Sequence, residues 1–314
     1  MKKLKKSEQN SAGNFKAYSP ENSSGAGKKS PQNLNKTSRE VALRGAAPKN
    51  VFCQKKFLGA DEATVPAGDR SKFTPRKFFS VVGWLAWLTF AYFAAQFAIA
   101  LILVIWRTFG GPINLNNLSD LGETLLDAAI YAAILAIAVG GAWLSRRRLK
   151  LKNFWQLIGL SRRPKLIDLK YLLAGIPIYY VLLIAMMIAA RIILAAAGSG
   201  AMNQTQDVGF ATSGNSPGQL VIIFVALVIV PPIAEEIAMR GFLFGRLRKI
   251  LSFWPTAILV SLLFAVAHWQ LNVSLDTFTL SMVMCVLREK TGTIYPTIGL
   301  HIVKNLVAFC ALFL

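Results

Sequence analysis

The stretch FFSVVGWLAWLTFAYFAAQFAIALILVIW, residues 78–106, contains no charged side chain. About 20 apolar residues are enough for a helix to cross the hydrocarbon core of a bilayer. Backbone polar groups in lipid must be satisfied within the protein, so a run of this kind predicts a membrane-spanning helix. Further apolar runs follow: Leu125–Leu144, about Tyr171–Ala197, a run starting at Leu220, Pro255–Gln270, Leu275–Leu287 and Ile294–Leu314. The run Leu275–Leu287 is short for a full crossing and is expected to be tilted, thinly embedded or part of a helix longer than its apolar stretch. Arg191, inside the third run, is expected to snorkel or to face protein. The expected fold is all-α: a polytopic transmembrane helix bundle of about seven spans with a disordered basic N-terminal tail. Composition agrees, since only 16% of the 314 residues are charged, against about 25% in soluble chains.

Charge then organises the chain. The net charge is +20, and residues 1–77 hold 17 Lys/Arg against 6 Asp/Glu. Residues 1–75 are also rich in Ser, Asn, Gly and Pro, and lack the apolar content to bury a core. The expected division is a disordered basic cytoplasmic tail (1–75), N-terminal transmembrane helices with a basic loop (76–164), and a C-terminal core (165–314). The segment 145–170 is basic, whereas 198–219 has no Lys or Arg at all. Positive loops face the cytoplasm, which places the N-terminus and 145–170 inside an integral membrane protein, in the plasma membrane for a prokaryote. The basic excess fits anionic lipid as the partner of the tail. No nucleic-acid motif is present, so no nucleic-acid partner is expected. Residues 151–165 are expected to lie along the interface as an amphipathic piece. Three scattered cysteines, Cys53, Cys285 and Cys310, form no disulfide or zinc-ribbon pattern. Cys285 and Cys310 are expected to be small core or lipid-facing residues.

Ionisable residues inside a bilayer are costly and are candidates for function. Three places qualify: Glu235, Glu236 and Arg240 after Pro231-Pro232; His268; and His301 with Asn305. The chain has two histidines, and both are in this set. Residues four apart share a helix face, so Glu236 can pair with Arg240. Glu235, turned about 100° away, points elsewhere and is expected to be unpaired. If the apolar helices are straight antiparallel hairpins, Glu235, His268 and His301 fall at nearly one height. A carboxylate beside two imidazoles and an amide suits hydrolysis. The carboxylate can take a proton from water. The imidazoles can hold an oxyanion or, as candidate ligands His268 and His301, bind a divalent metal such as zinc. Asn is a poor zinc ligand, so the set is incomplete by that standard. Pro231-Pro232 either kinks the span or opens backbone and room for water beside Glu235.

EEIAMR (235–240), FAVAH (264–268) and HIVKN (301–305) resemble, in this order, the EExxxR, FxxxH and HxxxN motifs of the CPBP family of intramembrane proteases. That family includes CAAX prenyl endopeptidases and Abi, or bacteriocin-processing, relatives. The resemblance covers about 165–314, and Gly241 and the two prolines also look like the family. It implies a membrane-embedded endopeptidase, a hydrolase acting on a peptide or membrane-protein substrate in some members carrying a lipid. It also implies that Glu235 is the water-activating base, completed by His268, His301 and Asn305, with Glu236 and Arg240 in support. Two other readings stay open. One is a non-enzymatic immunity or scaffold protein that uses the polar pocket for binding. The other is a proton-coupled transporter, against which stand the absence of a detectable internal repeat and the short sixth run.

Overall fold

The computed structural model describes residues 74–111, 118–144, 151–196, 198, 210 and 213–314. The basic tail, except its last two residues, and the segment 145–150 lie outside these. Among the described residues there is helix and no strand. Eight helices follow one another: α1 (Pro75–Thr108), α2 (Asp120–Leu144), α3 (Leu151–Leu157), α4 (Leu166–Ala196), α5 (Pro217–Leu247), α6 (Phe253–Val266), α7 (Leu271–Thr291) and α8 (Tyr295–Phe313). All except α3 and α6 are long and apolar enough to cross a membrane.

The helix starts are written in the sequence. Thr74 caps α1, with Pro75 just inside it. Ser119 caps α2, where Asp120 and Glu123 in the first turn suit the positive end of the helix dipole. Ser216 and Gln219 form a reciprocal capping box on α5. The Gln219 amide also donates to Asp120 at 2.8 Å, which ties the first turns of α2 and α5 together.

Of the alternatives for the run Leu275–Leu287, the longer helix is the one observed. The helix over Leu275–Leu287 is the longer α7, with 21 residues, and the short one is α6, with 14. At 1.5 Å per residue α6 is about 21 Å long, well under the ~30 Å core. The polar residues of α7 dilute its apolar pattern, but Thr277, Thr279, Ser281 and Thr291 are buried. Half of its apolar window is buried inside the protein. Thr277 and Thr279 donate to the carbonyls of Val273 and Leu275 one turn earlier, so their hydroxyls need no outside partner. This central helix packs against α4, α6 and α8. Tyr179 of α4 donates to Asp276 of α7 at 2.5 Å, and Lys304 of α8 lies 3.4 Å from the other oxygen of that carboxylate. The three helices are thereby clipped together at one level.

The first two helices pack directly on α5. Trp87 of α1 donates to the Ala138 carbonyl of α2, in a π-helical turn at Ala136–Gly140. Trp84 stands edge-on to Phe242 of α5, and the Arg246 guanidinium lies 4.8 Å over the Trp84 ring. Cys285 is buried in the core and Cys310 is exposed, as expected.

The segment 151–165 does not simply lie on the surface. Its end plugs into the bundle: Ile158 is buried, and Gly159 turns the chain with φ +80°. The Gly159 carbonyl accepts from the Ile294 amide and the Thr293 hydroxyl, just before α8. An ideal Cβ on Gly241 would stand 2.2 Å from the Ile158 carbonyl oxygen. That obstacle is backbone and cannot swing aside. Gly241→Ala is therefore expected to lower the melting temperature in detergent through overpacking, at a cost of about 1–3 kcal/mol. An unchanged melting curve would show that the wedge at Ile158 is not tightly held.

Candidate active site

Helix α5 carries two adjacent carboxylates into different surroundings. Glu236 faces inward, and its side chain is wholly buried. Arg240, one turn later and equally buried, donates from Nη1 to Glu236 Oε1 at 2.8 Å. His301 of α8 places Nδ1 3.0 Å from the same oxygen. The Arg240 guanidinium also sits 4.6 Å over the Phe264 ring of α6. A buried ion pair is costly to desolvate and persists only with further partners. Here the imidazole and the aromatic face supply them.

Glu235 takes the other direction. Its side chain keeps about a fifth of its exposure, with Oε2 3.8 Å from His301 Nε2. That distance is too long for a hydrogen bond but within ion-pair range. The expectation that Glu235 is unpaired does not hold in full, because the Tyr131 hydroxyl of α2 donates to its Oε1 at 2.8 Å.

His268 lies just past the end of α6. Its backbone N–H turns to the Ala265 carbonyl, three residues back, and its Nδ1 reaches the Phe264 carbonyl at 2.8 Å. A carbonyl only accepts, so Nδ1 carries the proton, and the lone pair of a neutral ring is on Nε2. The Phe264 ring stands edge-on to both imidazoles, 5.0 Å from His268 and 5.9 Å from His301 by ring centres. The two histidines thus flank one phenylalanine.

Asn305 sits one turn beyond His301, and its role follows from the prolines. The Leu227 carbonyl would receive a bond from residue 231 in an α-helix, or from 232 in a π-helical turn. Both are proline and have no N–H. The chain is π-helical over Val225–Ile229, just ahead of them. Asn305 Nδ2 donates to this carbonyl at 2.8 Å. Asn305→Leu is expected to destabilise the protein by about 1 kcal/mol, within the range of interhelical side-chain bonds in membranes. Adding Pro231→Ala restores a backbone donor, so the same substitution should cost less in that background. A double-mutant cycle in unfolding free energy with no coupling would refute this account.

Of the six residues singled out in the sequence, Glu235, Glu236, Arg240 and His301 meet directly. His268 joins them through Phe264, and Asn305 secures the backbone of α5. Tyr131 was missed; its one signal was a hydroxyl in the otherwise apolar run IYAAILAIA. Among the described residues no three of His, Cys, Asp and Glu are grouped to hold a metal ion.

These features define an integral membrane protein whose helical bundle holds a carboxylate–imidazole site. Residues 217–307 match the family model of the type II CAAX prenyl endopeptidase Rce1-like proteins, in agreement with the CPBP resemblance. That is a family of proteases. The matched segment contains all six motif residues, while α1–α4 lie outside it. No curated protein and no solved structure matches the chain.

Proposed function

We propose that this protein is an intramembrane endopeptidase that hydrolyses a peptide bond with water activated by Glu235. The supporting observation is the division between the carboxylates. Glu236 is wholly buried and bonded through Oε1 to Arg240 and His301, whereas Glu235 keeps an oxygen toward His301 and about a fifth of its exposure. Glu235 takes a proton from water, and the oxygen attacks the peptide carbonyl carbon. The C–N bond then breaks as the proton passes to the leaving amine. His301 is held through Nδ1, so Nε2 is the nitrogen it presents to the reacting centre. His268, held in the same way, presents its own Nε2. Either ring can donate to the oxyanion from a protonated Nε2.

The substrate class that fits the Rce1-like match is a peptide next to a lipidated cysteine; a bacteriocin-type peptide is the other family option. The basic tail is proposed to rest on anionic lipid. A second reading, a non-enzymatic immunity or scaffold protein, is favoured by Asn305, whose amide is spent on the Leu227 carbonyl. The deciding experiment incubates the purified full chain with quenched peptides, prenylated and plain, with and without chelator. Cleavage is expected, and loss with chelator would give the two histidines a metal. Binding of peptide by folded protein without cleavage would replace the protease reading by the second one.

A further inference from the structure

We infer that Tyr131 is a positioning residue for Glu235, so that the reactive carboxylate is set by α2 as well as by the family-matched segment. This rests on the proposed role of Glu235 as the base. The terminal torsion of a glutamate is broad and roughly two-fold, so an unheld carboxylate samples many orientations. A phenol is a neutral donor at ordinary pH. Its bond to Oε1 at 2.8 Å stops that rotation and leaves Oε2 as the oxygen on the His301 side.

The donor is itself held. Helix α2 packs along the Glu235 segment of α5. Its first turn is fastened by the Asp120–Gln219 bond, and the helix about two turns after Tyr131 is fastened by Trp87 of α1 on the Ala138 carbonyl. Nothing in 217–307 supplies a hydrogen bond to Glu235 among the described residues. The polar groups in contact with it are Tyr131 from α2 and His301 from α8. Asp127 lies one turn before Tyr131 on α2 and is exposed. The first two helices are therefore part of the site and not an appendage to it.

Tyr131→Phe removes one oxygen and conserves packing. In the full chain we expect kcat to fall roughly 10- to 100-fold, the factor that corresponds to a hydrogen bond to a charged group, with KM unchanged. The second readout needs no activity. The antisymmetric carboxylate stretch of Glu235, isolated as the infrared band lost in Glu235→Gln, should shift in Tyr131→Phe. A shifted band together with the kcat loss supports the assignment. An unshifted band overturns it, whatever the rate does. If wild type cleaves no peptide, the shift still shows the phenol holding the carboxylate, and the failure then falls on the protease reading and on the catalytic purpose of the contact. A rise in KM with kcat intact would overturn positioning in favour of substrate contact.

Discussion

Glu235→Gln is expected to abolish peptide cleavage while the protein keeps its melting temperature. The exchange is nearly isosteric. The glutamine carbonyl oxygen can still accept from Tyr131, so the contact across α2 and α5 survives. What is lost is basicity, since an amide takes no proton from water at neutral pH. Removing a general base typically costs 10²–10⁴-fold, on the order of the whole signal in a quenched-peptide assay. The buried pair beside it is untouched, because Glu236 accepts from both Arg240 and His301. Rates measured together with melting curves separate the effects. Retained cleavage in Glu235→Gln would remove this carboxylate from the chemistry.

The neighbouring carboxylate predicts the opposite phenotype. Arg240→Met is expected to destabilise the protein by about 3–5 kcal/mol, the cost of breaking a buried pair and leaving one charge without its main partner. Glu236 would keep the imidazole but lose the guanidinium. Glu236→Gln should be harmful for the mirrored reason, leaving a guanidinium in the core with the Phe264 ring beneath it. The double variant Glu236→Gln/Arg240→Met removes both charges and should recover much of the loss. Unfolding in mixed micelles measures all three. Additive losses in the double variant would mean that the two residues do not act as a pair.

The contrast between these carboxylates was legible before any coordinates, because it follows from helix geometry alone. A separation of four residues brings Glu236 to Arg240, and a separation of one turns Glu235 away. The hairpin argument likewise brought His301 to the carboxylates and His268 to their neighbourhood. It had no means of seeing that the Phe264 ring stands between the histidines. Tyr131 was invisible for a related reason: its contact joins residues 131 and 235 across two helices, and local periodicity carries no information about such a meeting. The length of α7 stayed open because Ser, Thr and Asp lower apparent hydrophobicity whether they face lipid or a neighbouring helix. The two prolines did announce that α5 would lack donors. Which side chain would satisfy the stranded carbonyl was a matter of tertiary packing.

That stranded carbonyl has a bearing on biosynthesis. The Leu227 oxygen enters the bilayer with α5 and lacks a helical donor, and the chain must be extended by more than seventy residues before Asn305 exists. His301 arrives on the same late helix. A nascent chain that has inserted α5, α6 and α7 thus holds Glu235 without the imidazole that faces it. Under the proposed function, the site is incomplete until α8 docks. A chain interrupted before α8 keeps an unsatisfied polar group in the membrane, a local defect that marks it out from the finished protein.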